Sequence, residues 1–132
     1  MTPEQIDRYG DELFQALHDR QTVPPLTARE PGITIDDAYR VSLRLLARRL
    51  ESGERVIGKK IGVTSLAVQS MLDVHQPDFG YLTDAMQYED GCEMPIGQRL
   101  IQPRAEGEIA FRLRRTLRGP GVTNDDVIAA TE

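Results

Sequence analysis

The sequence predicts an α+β fold, with a helical N-terminal region over residues 1–55 and strand-forming sequence over 56–132. Three observations predict it. Two amphipathic stripes at helical spacing occupy the first region. The run Val56 to Val63, Val-Ile-Gly-Lys-Lys-Ile-Gly-Val, reads as a strand. Residues 104–113 then alternate Ile109, Phe111 and Leu113 against Glu106, Glu108 and Ala110, the period of two that a strand requires.

Thr2-Pro3-Glu4-Gln5 is a helix start: a threonine cap, proline in the first turn and glutamine at the capping-box position. Ile6, Tyr9, Leu13 and Leu17 continue it as one apolar stripe to about Asp19. Residues 21–33 hold Pro24, Pro25, Pro31 and Gly32 and are expected to be a non-helical loop. Thr34 followed by Asp37 repeats the cap signal, and Ala38, Val41, Leu45, Leu46 and Leu50 make a second stripe ending near Ser52-Gly53. Arg40, Arg44 and Arg48 share a face of that helix, which is expected to be solvated. After the first strand, Thr64-Ser65 can cap a short helix holding Ala67, Val68, Met71 and Leu72. A loop is expected over 73–80, then short extended pieces near 81–88 and 98–102 and the 104–113 strand. Thr123, with Asp126 three residues on, opens a last helix. It has barely begun when the sequence stops at Glu132, so the chain is expected to be the N-terminal part of a longer protein.

Composition narrows the function. A chain of 132 residues suffices for one modest domain. The net charge of −5, without a basic cluster, argues against nucleic-acid binding, which needs positive charge against phosphate. No apolar run approaches the roughly 20 residues that cross a bilayer, and the N-terminus lacks the pattern of a signal peptide. The lone Cys92 cannot form an internal disulfide, which suggests a reducing cytoplasm. It sits among acids, whereas reactive thiols prefer electropositive surroundings.

The chemistry-bearing residues are few. Glu106 and Glu108 fall on one strand face, with Cα atoms about 7 Å apart from a rise of roughly 3.3 Å per residue. Two such carboxylates can converge on one hard, oxygen-loving cation such as Mg²⁺ or Mn²⁺, although Glu-x-Glu is also common on a plainly solvated face. Lys59 and Lys60 are the chain's two lysines, and on a strand they point to opposite faces. A lysine kept among so many arginines suits a role needing a compact ammonium; the alternative is a pair whose heads both stay wet. Asp78, between Pro77 and Phe79-Gly80, either caps a turn or serves as a general base or acid. No Ser-His-Asp, Cys-His or phosphate-loop spacing is present, and Gly58, Gly62 and Gly80 are too scattered for a dinucleotide fingerprint.

Three ordered motifs carry a resemblance. Gly58-Lys-Lys-Ile-Gly-Val-Thr-Ser65, then Gln76-Pro-Asp-Phe-Gly80 with Tyr81-Leu-Thr-Asp-Ala-Met86, then Gln102-Pro-Arg-Ala-Glu-Gly-Glu-Ile-Ala-Phe111 resemble the 2-hydroxypenta-2,4-dienoate (2-oxopent-4-enoate, vinylpyruvate) hydratases of the fumarylacetoacetate hydrolase superfamily. The resemblance spans essentially the whole chain. It implies that residues 56–132 are the first, incomplete part of a mixed β-roll built around a divalent metal. It also implies three acidic ligands. Glu106 and Glu108 match the first two, and the third is expected beyond Glu132. Lys60 matches an active-site lysine of the family and Asp78 a polar active-site residue.

The implied reaction adds water to a 2-hydroxy-2,4-dienoate, giving a 4-hydroxy-2-oxo acid, in meta-cleavage catabolism of aromatic compounds. Mg²⁺ or Mn²⁺ would polarise the substrate's C2 oxygen. Lys60 would stabilise negative charge or shuttle a proton, Asp78 would activate water, and Thr64 would bind substrate. The resemblance further implies a homo-oligomer, complexed with a sister decarboxylase. Two alternatives stay open: 4-oxalocrotonate decarboxylase of the same superfamily, and a catalytically incomplete piece with a structural role.

Overall fold

The computed structural model describes residues 1–132, which form two compact units, Met1–Gln102 and Pro103–Glu132. The first holds helices α1 (Pro3–Asp19), α2 (Leu26–Arg29) and α3 (Ile35–Glu51), strand β1 (Val56–Gly62), helix α4 (Leu66–Leu72), strand β2 (Asp78–Thr83) and a 3₁₀ turn (Asp84–Met86). The second holds helix α5 (Asn124–Ala130). Helices thus accompany a small antiparallel sheet of two strands. No helix is long and apolar enough to cross a membrane.

α1 and α3 start where their caps predict. The Thr2 hydroxyl accepts from the Gln5 backbone N–H at 3.2 Å, and the Thr34 hydroxyl from that of Asp37 at 3.1 Å. Both are closed capping boxes, which satisfy the orphan donors of a first helical turn. The helices pack through Ile6, Tyr9 and Val41. Gly10 makes the close approach possible, because a Cβ there would collide with the Cβ and Cγ of Arg44. The N-terminal amine donates to Asp37 at 3.1 Å. Its carboxyl lies below the usual carboxylate range, first because of the Thr34 hydroxyl and then because of that amine.

The arginine stripe of α3 differs from expectation. Only Arg40 is exposed. Arg44 grips Asp11 of α1 with two bonds of 2.8 and 3.0 Å, and Arg48 lies 5.3 Å above the ring of Phe14. Arginine stems cover apolar surface while their heads find acids across the interface. Residues 21–33 also contain one turn of helix, α2, where a pure loop is expected. Pro25 is its N-cap, a position where a missing N–H costs nothing. Arg29 then pairs with Glu12 at 2.7 and 2.8 Å and lies 4.8 Å above the Tyr9 ring.

β1 and β2 pair antiparallel in the register Gly58↔Leu82, Lys59↔Tyr81, Lys60↔Gly80, Ile61↔Phe79 and Gly62↔Asp78. The loop expected over 73–80 therefore ends early, since Asp78, Phe79 and Gly80 belong to β2. Tertiary contact overrides their turn-like composition, for Phe79 stacks on Tyr39 of α3 at 4.6 Å between centroids. At the far end of the strand, fully buried Thr83 donates to Glu54 and accepts from Arg49, tying β2 to the end of α3.

In the second unit, the segment 103–112 has no regular secondary structure and is not a strand. This corrects the expectation for the Glu-x-Glu run. Alternation prepares a chain for a sheet, but a strand exists only with a hydrogen-bonding partner. None of the 132 residues supplies one, and Ile109 and Phe111 stay 83% and 60% exposed. Pairing is limited to the bridge Leu113↔Thr131, where the backbone N–H of Arg114 donates to the Ala130 carbonyl at 2.8 Å. α5 begins at a third closed capping box, Thr123 with Asp126.

Candidate functional site

Register sorts the hairpin's side chains onto two faces. Residues opposite one another in an antiparallel pair share a face, and alternate residues along a strand do too. Lys59, Ile61, Phe79 and Tyr81 therefore share one face. Tyr39 of α3 stacks on it, and the Lys59 ammonium lies 5.6 Å from the Tyr81 ring. The other face carries Gly58, Lys60 and Gly62 from β1 with Asp78, Gly80 and Leu82 from β2. Of these six residues, three are glycines.

Glycine opens that face above the strands. The Lys60 stem crosses Gly80, its Cγ standing 3.4 Å from where a Cβ would be. The Lys60 Nζ then reaches to 2.6 Å of the Cβ position at Gly62, and the Asp78 carboxylate reaches the same point. A cationic amine and an anionic oxygen thus converge over one bare α-carbon. No ion pair within 4.0 Å joins them. Both side chains are exposed. Such an arrangement can present a proton donor and a proton acceptor together to a small polar molecule.

Thr64 lies two residues beyond Gly62, just outside β1, and is exposed. The cap of α4 is its neighbour Ser65, whose hydroxyl accepts from the Val68 N–H at 3.2 Å, so Thr64 is not consumed by helix capping. At the opposite end of the hairpin, the Asp84 carboxyl is held below its ordinary range by the backbone N–H of Arg55 and then by its guanidinium. That pair secures the strand ends away from the lysine. A cavity of about 500 Å³ in this unit is lined by Phe14, Leu17, Met86, Tyr88 and Met94 among others, and by none of Lys60, Thr64 or Asp78.

Glu106 and Glu108 belong to the second unit, on its segment without regular secondary structure, and both are exposed. The ion pair of this unit joins Arg112 to Glu132 at 2.9 Å and leaves the two glutamates out. No group of three or more His, Cys, Asp or Glu side chains suited to a metal ion gathers in the chain. Sequence reasoning missed Gly62. Its signal was the alternation Gly58-x-Lys60-x-Gly62, which on a strand puts a lysine between two glycines on one face.

Over 127 residues the chain is 68% identical to a 2-hydroxypent-2,4-dienoate hydratase of Pseudomonas putida, covering 96% of this chain and 57% of that protein. It is 59% identical over 128 residues to a 2-hydroxyhexa-2,4-dienoate hydratase of Comamonas testosteroni, covering 96% and 48%. Among solved structures, the 4-oxalocrotonate decarboxylase of Pseudomonas putida G7, complexed with magnesium and adipate, superposes with a TM-score of 0.89 at 31% identity, over 100% of this chain and 50% of that one. The same decarboxylase complexed with calcium and acetate matches equally, with a TM-score of 0.89. The chain spans about half the length of the curated relatives it matches. No family model matches it.

Proposed function

Because the chain belongs by sequence to the 2-hydroxypenta-2,4-dienoate hydratase family, we propose that it serves the metal-dependent hydration of 2-hydroxypenta-2,4-dienoate to 4-hydroxy-2-oxopentanoate. This is a hydro-lyase step of meta-cleavage aromatic catabolism in the cytoplasm. The observation that carries the reading is the convergence of the Lys60 amine and the Asp78 carboxylate over Gly62. Hydration of a conjugated acid needs a proton delivered to carbon and a water stripped of one, and a neighbouring acid and base supply both. Asp78 accepts the proton of the attacking water. Lys60 offers a positive charge to the anionic substrate and a proton to relay. The exposed Thr64 hydroxyl hydrogen-bonds the substrate.

Glu106 and Glu108 would hold the divalent cation, Mg²⁺ or Mn²⁺. Magnesium ordinarily keeps several waters and takes only one or two carboxylates. The donor set of two exposed glutamates, both hard oxygen ligands, fits it. The bound cation supplies Lewis acidity toward the keto-acid oxygen. A decarboxylase structure holding magnesium supports a divalent cation here. Within the same proposal, residues 56–132 contribute the first part of a mixed β-roll after a helical region at 1–55. The assembled enzyme is a homo-oligomer in contact with its sister decarboxylase.

The test is loss of the dienol's ultraviolet absorbance with and without Mg²⁺, together with Mg²⁺ calorimetry. Glu106→Gln and Glu108→Gln are expected to weaken Mg²⁺ binding by at least the roughly 10- to 100-fold that loss of an outer partner of a ligand costs, and to abolish metal-dependent turnover. Asp78→Asn is expected to slow hydration with Mg²⁺ affinity intact. Unaltered Mg²⁺ binding in both glutamine variants refutes the ligand assignment. The decarboxylase likeness favours a second reading, removal of CO₂ from 4-oxalocrotonate. Release of CO₂ without water addition would select it.

A further inference from the structure

The residue that follows β1, Val63, has a left-handed backbone with φ of 55°. For a β-branched side chain this is a true outlier, because the branched Cβ crowds the backbone. Such a conformation persists only where its surroundings over-determine it. Here one group does so. The side-chain amide of Gln69, on α4, donates to the Val63 carbonyl at 2.9 Å. Only the amide nitrogen can be the donor to a carbonyl, so the orientation of the Gln69 side chain is settled by chemistry. Gln69 is 9% exposed, one of three buried polar residues in the chain. The other two are accounted for: the Asp37 carboxylate accepts from the Thr34 backbone N–H and hydroxyl and from the N-terminal amine, and Thr83 joins Arg49 to Glu54.

Val63 stands between two residues of the hydration site. Gly62 precedes it, beneath the Lys60 amine and the Asp78 carboxylate, and Thr64 follows it. Returning Val63 to an ordinary φ would swing the chain on both sides. We propose that Gln69 is a positioning residue. By clamping Val63 in the left-handed region, it fixes where β1 stops, keeps Gly62 under Lys60 and Asp78, and sets the direction in which Thr64 leaves the strand. This rests on the reading of Lys60, Asp78 and Thr64 as hydration residues, so the test carries one readout that does not depend on turnover.

Backbone chemical shifts of Gly62, Val63 and Thr64 report φ directly. Gln69→Leu is expected to move the Val63 shifts away from left-handed values. It is also expected to lower kcat about tenfold or more with KM changed far less, as a loss of alignment rather than of binding does. Adding Val63→Gly should restore kcat to within about threefold of the parent, because glycine takes positive φ without a Cβ penalty. If Gln69→Leu fails to fold, Gln69→Glu keeps the side-chain volume while its ionised form lacks the donor, and it is read in the same way. Val63 shifts that remain left-handed without the Gln69 donor overturn the proposal, as does a folded double variant whose kcat stays low. If the parent chain hydrates nothing, the functional reading fails alone, and the shifts still decide the clamp.

Discussion

Replacing Gly62 with alanine adds one methyl group at the point where Lys60 and Asp78 meet. The Lys60 Nζ stands 2.6 Å from that position, and ordinary contact begins at 3.4 Å, so the amine must retreat by about 0.8 Å. The Asp78 carboxylate must give way too, because its Oδ1 lies closer to that position than the amine does. Both obstructing groups are the far ends of flexible side chains, so they yield at little cost to the fold. Alanine in a strand is itself favoured over glycine by about 0.5–1 kcal/mol. Stability should therefore hold or rise slightly. On the proposed acid–base roles of Lys60 and Asp78, by contrast, a displacement of nearly 1 Å costs roughly tenfold to a hundredfold in rate. Urea unfolding and dienoate hydration, measured on the same preparation, separate the two effects. Parental turnover in Gly62→Ala would show that the amine and the carboxylate are not the working groups. A loss of turnover matched by a loss of stability would make Gly62 a packing residue only.

Gly10→Ala should act in the opposite sense. Its methyl group meets the Cβ of Arg44, close to backbone, and the Val41 carbonyl oxygen at 3.1 Å, so α1 and α3 must separate. A loss of about 1–3 kcal/mol is expected in urea unfolding, as for other overpacked interfaces; an unchanged midpoint would mean the helices part freely. Acid should also destabilise the chain. Asp11 is lowered chiefly by its hydrogen bond to Arg44, Glu12 chiefly by that to Arg29, and Asp37 chiefly by that to Thr34. Groups lowered on folding contribute stability above their unfolded values, near 4, and lose it as pH falls through the folded ones. The melting temperature should thus be flat from pH 7 to about 5 and drop below about 4. A melting temperature that rises on acidification would contradict these pairings.

Much of this was legible in the sequence because it is local. The three threonine caps, each with its partner three residues on, open α1, α3 and α5 as read. The strand expected from Val56 is present as Val56–Gly62. What was not legible depends on partners far along the chain. Asp78, Phe79 and Gly80 look like a turn until Tyr39 and β1 are placed beside them. The arginines of α3 look solvated until Asp11 and Phe14 arrive across the interface. Glu106 to Leu113 alternates as a strand does, yet alternation cannot supply the neighbour that would make it one. The convergence over Gly62 follows from register, which a single strand's sequence does not contain.

The hairpin's two faces carry separate burdens. On one, aromatic rings of Phe79 and Tyr39 anchor the strands to the helical layer; on the other, glycines leave an amine and a carboxylate unobstructed. Mutational drift on the ringed side falls first on folding, and drift on the bare side falls first on the proposed acid and base. A lineage, or an engineer, can vary the groups displayed on the bare side while the ringed side keeps the hairpin standing.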